Sequence, residues 1–192
     1  MTQSIKRLTT FYYLLVFLIL THESNFYLIT HTDGTGYGLT ILSALAVFLF
    51  VRNHKIKTFV QPIIFWALLM SYHLLNCYFR DILNPEHSIF TITVRNLALL
   101  TCVPFLYYQN RIKIIYIILF AFLYNLIATY LTGTTDETEE RLTGIYYTTQ
   151  LGQMAGLACC LISLLIYLQK KTWLYSLYII PIGIMMLSGS CL

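Results

Sequence analysis

Charge is what this sequence has least of. Asp, Glu, Lys and Arg make up 10% of its 192 residues, against about 25% in an ordinary soluble domain. With 12 basic and 8 acidic side chains the chain cannot cover the surface of a soluble globule. A formal net charge of +4 dispersed along an apolar chain is no electrostatic footprint for nucleic acid. A cysteine framework is absent too. Cys77, Cys102, Cys159, Cys160 and Cys191 are odd in number, lie mostly in apolar runs and form no C-x-x-C, so they read as small buried apolar residues. There is no P-loop, no dinucleotide fingerprint and no His/Cys spacing suited to a metal. The residues imply neither a cofactor nor a metal.

What the chain has is hydrophobicity. Hydrophobic residues reach 58% and aromatics 16%, and the mean hydropathy is +0.70. That excludes disorder and predicts an integral membrane protein. A helix needs ~20 mostly apolar residues to cross the bilayer core. Polar punctuation divides the chain into seven candidates: Leu8–Leu28, Tyr37–Val51, Phe59–Phe79, Ile89–Tyr108, Ile112–Leu131, Tyr146–Leu168 and Trp173–Leu187. The expectation is an all-α polytopic bundle occupying residues 1–192 as a single transmembrane domain. Lys6 and Arg7 ahead of Phe11–Leu20 resemble a signal peptide, but Thr21-His22-Glu23-Ser24 offers no A-x-A-like cleavage site. The segment reads as a retained anchor. Its outer end is expected to leave the membrane early, since His22 and Glu23 are costly inside it. Pro104 and Pro181 fall within spans, where they are expected to kink the helix.

The charges sort by side. Lys6, Arg7, Arg52, Lys55, Lys57, Arg111, Lys113, Lys170 and Lys171 fall at the ends that alternate spans share, which is nine of the 12 cations. All 8 acids fall on the other side. The positive-inside rule then predicts a cytoplasmic N-terminus and an external C-terminus. Arg80, Arg95 and Arg141 are the cations that orientation does not explain.

Ionisable and amide side chains within spans are costly and often functional. Arg95 and Asn96, His73 and Asn76, Asn125, and Gln150 with Gln153 all fall toward the outer leaflet; Gln61 alone breaks the pattern. His73, Asn76 and Arg80 share a helix face at i, i+3 and i+7. These groups either line a wet chamber open to the outside or hydrogen-bond between helices. Gly152-Gln-Met-Ala-Gly156 is a G-x-x-x-G, which reads as a ridge for close helix packing.

The longest outer loop spans 132–145 and is acidic until Arg141. It leads into Arg141-Leu-Thr-Gly144-Ile-Tyr146-Tyr147-Thr-Thr-Gln150-Leu-Gly152, and Ser188-Gly189-Ser190 closes the last span. These stretches resemble the O-antigen ligase and O-antigen polymerase family of bacterial membrane glycosyltransferases. Members carry an Arg-x-x-Gly-hydrophobic-aromatic stretch after an outer loop, an amide and a small residue entering a helix, and a later Gly-Ser-Arg. The chain departs from the pattern at Gln150, where asparagine is usual, and at Cys191, where the signature arginine would stand. The resemblance covers the N-terminal half of such a protein. The region that would hold a catalytic histidine has no counterpart here, so no catalytic residue is assigned.

The resemblance implies a multi-pass protein of the bacterial cytoplasmic (inner) membrane that serves lipopolysaccharide or other cell-envelope polysaccharide biosynthesis. It would transfer or polymerise glycans carried on a polyprenyl diphosphate, among membrane lipid and other envelope-biosynthesis proteins. Arginines suit the diphosphate because its negative charge grows as it leaves. The expected substrate-binding residues are Arg141, Arg95, Arg80, Tyr146, Gln150, Gln153 and His73, with Gly152 and Gly156 packing the helix. The run Asp136, Glu137, Glu139, Glu140 is a solvated surface on composition, with a carboxylate base as its sharper reading. Two other classes compete: a transporter component using Arg95 and the outer amides, and a non-catalytic scaffold binding partners through the Gly152–Gly156 ridge.

Overall fold

A computed structural model describes residues 3–30, 36–53, 64, 67–68, 71–72, 89–132, 134–135, 142–143 and 148–187. The elements are α1 (Gln3–Thr30), α2 (Gly36–Asn53), α3 (Ile89–Thr132), β1 (Thr134–Thr135), β2 (Leu142–Thr143), α4 (Thr148–Gln169), a 3-10 helix (Thr172–Tyr178) and α5 (Ile179–Leu187). Among the described residues, three helical stretches are long and apolar enough to cross a membrane: Leu8–Thr30, Val94–Thr132 and Leu151–Gln169. Gly38–Arg52 and Thr172–Leu187 are shorter apolar helices. Most of the span expected at Phe59–Phe79 lies outside the described residues; within it Ile64, Leu68 and Tyr72 are helical and exposed at i, i+4, i+8.

The chain forms two compact units, Met1–Ile19 with Gly36–Gln109, and Leu20–Thr35 with Asn110–Leu192. The division between Gln109 and Asn110 has a local cause. α3 is helical throughout except at Asn110, whose φ of −160° and ψ of 95° are extended. Asn110 Oδ1 accepts the Lys113 backbone N–H at 3.0 Å, the bond by which an N-cap begins a new helix. At 1.5 Å per residue, an unbroken Val94–Thr132 would be about 58 Å long, close to twice a bilayer core of ~30 Å. The break falls between the fourth and fifth expected spans. Pro104 does not interrupt the helix, since Asn110 is its one non-helical position.

In the first unit aromatic rings form the centre. Tyr12 packs against Phe50 and Phe105 at centroid distances of 5.7 and 5.9 Å, and those two meet at 5.4 Å. Burying a tyrosine requires a partner for its hydroxyl. Tyr12 donates to the Leu49 carbonyl at 3.0 Å, and Tyr13 to the Leu106 carbonyl at 3.5 Å. On α2 the buried stripe is Leu39, Ser43, Ala46 and Phe50, at the i, i+4, i+7, i+11 positions of one helix face.

In the second unit, Ile115, Leu119 and Leu123 of α3 meet Ala158, Ile162 and Leu165 of α4, with Leu174 of the 3-10 helix. A second cluster joins Leu126 to Leu151, Ala155 and Ile184. Rising numbers on α3 thus meet falling numbers on α4, so the two run antiparallel. The last expected span is not uniformly α-helical: its first half is the 3-10 helix, and Pro181 stands in the first turn of α5. There the missing N–H costs little, because the first turn has no partner for it. At ~2.0 Å per 3-10 residue and ~1.5 Å per α residue, residues 172–187 extend about 27 Å. β1 and β2 pair antiparallel, Thr134 with Thr143 and Thr135 with Leu142.

Candidate functional site

Most of the residues singled out from the sequence fall in two groups. Arg80, His73, Arg141 and Tyr146 lie outside the described residues, as does the acidic run 136–140. Gln150 belongs to the first turn of α4, and only its backbone is described. Arg95 and Asn96 lie in the first unit, on α3, and both are half-buried. Gln153, Gly152 and Gly156 lie on α4 in the second unit.

The faces of α4 separate these last residues from the core. Leu151, Ala155, Ala158, Ile162 and Leu165 form its buried stripe. Gln153 is exposed, on the side that also carries Leu157, Cys160, Leu164 and Tyr167. Gln153 therefore lies off the buried face of α4 that meets α3. Among the described residues, a Cβ added at Gly156 would meet nothing within 4 Å.

The structure instead assembles a polar cluster that the sequence reading did not identify. The end of α1 does not turn out of the helix at His22 and Glu23 but continues to Thr30. Its polar residues are answered from the second half of α3. Ser24 Oγ donates to Asn125 Oδ1 at 2.8 Å, and Asn125 Nδ2 donates to the Leu20 carbonyl at 2.9 Å. Tyr124 donates its hydroxyl to Asn25 Oδ1, and Asn25 Nδ2 donates to Thr21 Oγ1 at 3.0 Å. Thr21 and Ser24 are fully buried, and Asn125 is 2% exposed. A buried amide left unsatisfied would cost several times what one such bond contributes. Here both ends of Asn125 are paired, so the cluster joins helices and offers no open ligand position. The signal was present as Thr21, Ser24 and Asn25 at i, i+3, i+4, the spacing of one helix face. Beside the cluster the His22 ring stacks on Phe26 at 6.1 Å, and its buried Nδ1 has no hydrogen-bond partner among the described residues.

No family model, curated protein or solved structure matches this chain.

The described residues hold no group of three or more His, Cys, Asp or Glu placed to bind a metal. Cys102, Cys159 and Cys160 are free thiols. Of the arginines expected to meet an anionic substrate, Arg95 is the one that the structure describes.

Proposed function

We propose that the chain is a seven-span protein of the bacterial cytoplasmic membrane, N-terminus inside and C-terminus outside, that handles polyprenyl-diphosphate-linked glycans as O-antigen ligases and polymerases do. The observation that carries this reading is the stretch Arg141-Leu-Thr-Gly144-Ile-Tyr146-Tyr147, placed just ahead of a membrane-length helix that starts at Thr148. The start of that helix is the positive end of its dipole, which favours the same anions that an arginine binds. A guanidinium binds a phosphate through two parallel hydrogen bonds, which a lysine does not reproduce. The tyrosines beside Arg141 offer flat faces to sugar rings. The sorted charges supply the sidedness, with Arg141 opposite the face that carries nine of the 12 cations. In this reading the chain binds and positions the lipid-linked glycan alongside other envelope-biosynthesis proteins, and the catalytic residue is unassigned.

The test is binding of a short-chain polyprenyl diphosphate to the full chain in phosphatidylcholine nanodiscs. A hydrogen bond to a charged group contributes ~1.5–3 kcal/mol, so Arg141→Ala is expected to raise Kd about ten- to hundredfold. Arg141→Lys should fall between the two. Equal affinity for the diphosphate and for the uncharged polyprenol, or unchanged affinity in Arg141→Ala, would overturn the reading.

A further inference from the structure

The second unit gathers cations at one end. Because the second half of α3 and α4 are antiparallel, the start of the first and the end of the second lie at the same level. Tyr116 ties them, donating its hydroxyl to Gln169 Oε1 at 3.1 Å. Ile112 and Leu168 pack against the same apolar cluster just below. Arg111 and Lys113 lie beyond this tie on one helix, and Lys170 and Lys171 lie beyond it on the other; all four are exposed.

The helix dipole accounts for only part of this placement. Lys170 and Lys171 follow the C-terminus of α4, where the dipole favours cations, but Arg111 stands in the first turn of the segment capped by Asn110, where the dipole disfavours them. Lys170 also holds a φ of 55° while its N–H closes α4 on the Ile166 carbonyl at 2.7 Å. That left-handed position ordinarily goes to glycine, which adopts it without strain. A lysine is kept at a site whose backbone prefers another residue. The carboxylate among the described residues, Glu23, precedes Ser24 at the Asn125 level, about 21 Å along the helix from Arg111.

Around the cations stand Tyr167, Trp173 and Tyr175, which are 79%, 51% and 59% exposed. Amphipathic rings of this kind settle at the level of lipid headgroups. Below them, Leu157 and Leu164 of α4 and Ile179, Ile182 and Met186 of α5 are exposed apolar side chains, which suit acyl chains. We infer that Arg111, Lys170 and Lys171 form a binding site for the headgroup of an anionic phospholipid, with Trp173 beside it at the membrane interface. The charge complementarity and the apolar flank continuous with the site commit it to a lipid, distinct from the glycan carrier and independent of Arg141.

Trp173 supplies the probe. In a Trp66→Phe background it is the sole tryptophan. The full chain is placed in phosphatidylcholine vesicles containing brominated phosphatidylglycerol or, separately, brominated phosphatidylcholine. Each interfacial cation favours an anionic lipid by about fivefold, so the anionic quencher should act at a mole fraction at least about fivefold lower. Arg111→Ala/Lys170→Ala/Lys171→Ala should bring the two quenchers together. Lys170→Gly separates binding from folding: it should keep or raise the thermal midpoint, because the left-handed backbone is relieved, yet reduce the lipid preference about fivefold. Equal quenching in the parent chain, or an unchanged preference in the triple variant, would overturn the site. Loss of the preference on adding soluble glycerol phosphate at millimolar concentration would assign it to a free phosphate ester and overturn the commitment to lipid. No glycan carrier enters the measurement, so its failure is distinct from failure of the Arg141 reading.

Discussion

Asn125 shows what a single side chain decides. Its position in the outer part of an apolar run leaves two readings open, a wet chamber or a bond between helices. The outcome depends on the partner, and the partners lie about 100 residues away in sequence, at Leu20 and Ser24. Nothing local announces them. Their own spacing is visible, but the residue on α3 that answers it is not. Interhelical hydrogen bonds in membranes contribute ~0.6 kcal/mol on average and up to ~1.7. Asn125→Leu removes two at once. It is expected to destabilise the protein by about 1–2 kcal/mol, measured by thermal unfolding in detergent. Combined with Ser24→Ala, the two losses should be less than additive, because both substitutions remove the same Ser24–Asn125 bond.

At the scale of elements, what the sequence makes legible depends on how a boundary is made. The division of α3 is legible because Gln109, Asn110 and Arg111 interrupt two apolar runs, and an Asn ahead of a helix is a capping signal. Asn110→Ala removes the side-chain oxygen that holds the Lys113 N–H. The loss of such a cap costs about 1 kcal/mol, which chemical unfolding should register, and Asn110→Asp should retain most of the stability. The 3-10 helix at Thr172–Tyr178 is not legible in the same way. Over seven residues, periods of 3.0 and 3.6 place apolar side chains too similarly to separate. The same holds for Pro181. The apolar run puts it inside a span, but its position in the first turn of α5 follows from where the 3-10 helix ends. The Gly152–Gly156 motif marks a surface capable of close approach, and the open space at Gly156 shows that the motif alone does not name what approaches it.

For the molecule as a whole, hydropathy and charge speak to different questions. Apolar length identifies helices able to span a bilayer, and three are of that length. The longest of them is divided by the polar residues Gln109–Arg111, and the backbone breaks there at Asn110. Charge speaks to sidedness, because moving a lysine or arginine across the membrane during insertion is disfavoured. The candidate site was legible only as residue types in a pattern: Arg95 alone among the three unexplained arginines is described, and it lies in a different unit from Gln153. The central claim is that residues 111–132 cross the membrane and leave Arg141 on the face opposite Arg111, Lys170 and Lys171. Single-cysteine variants in a cysteine-free background test it directly, using a membrane-impermeant maleimide on right-side-out and inverted vesicles. Gln109→Cys and Lys171→Cys should label from the cytoplasmic side and Thr138→Cys only from the other. Labelling of Thr138→Cys and Gln109→Cys from the same side would contradict the account.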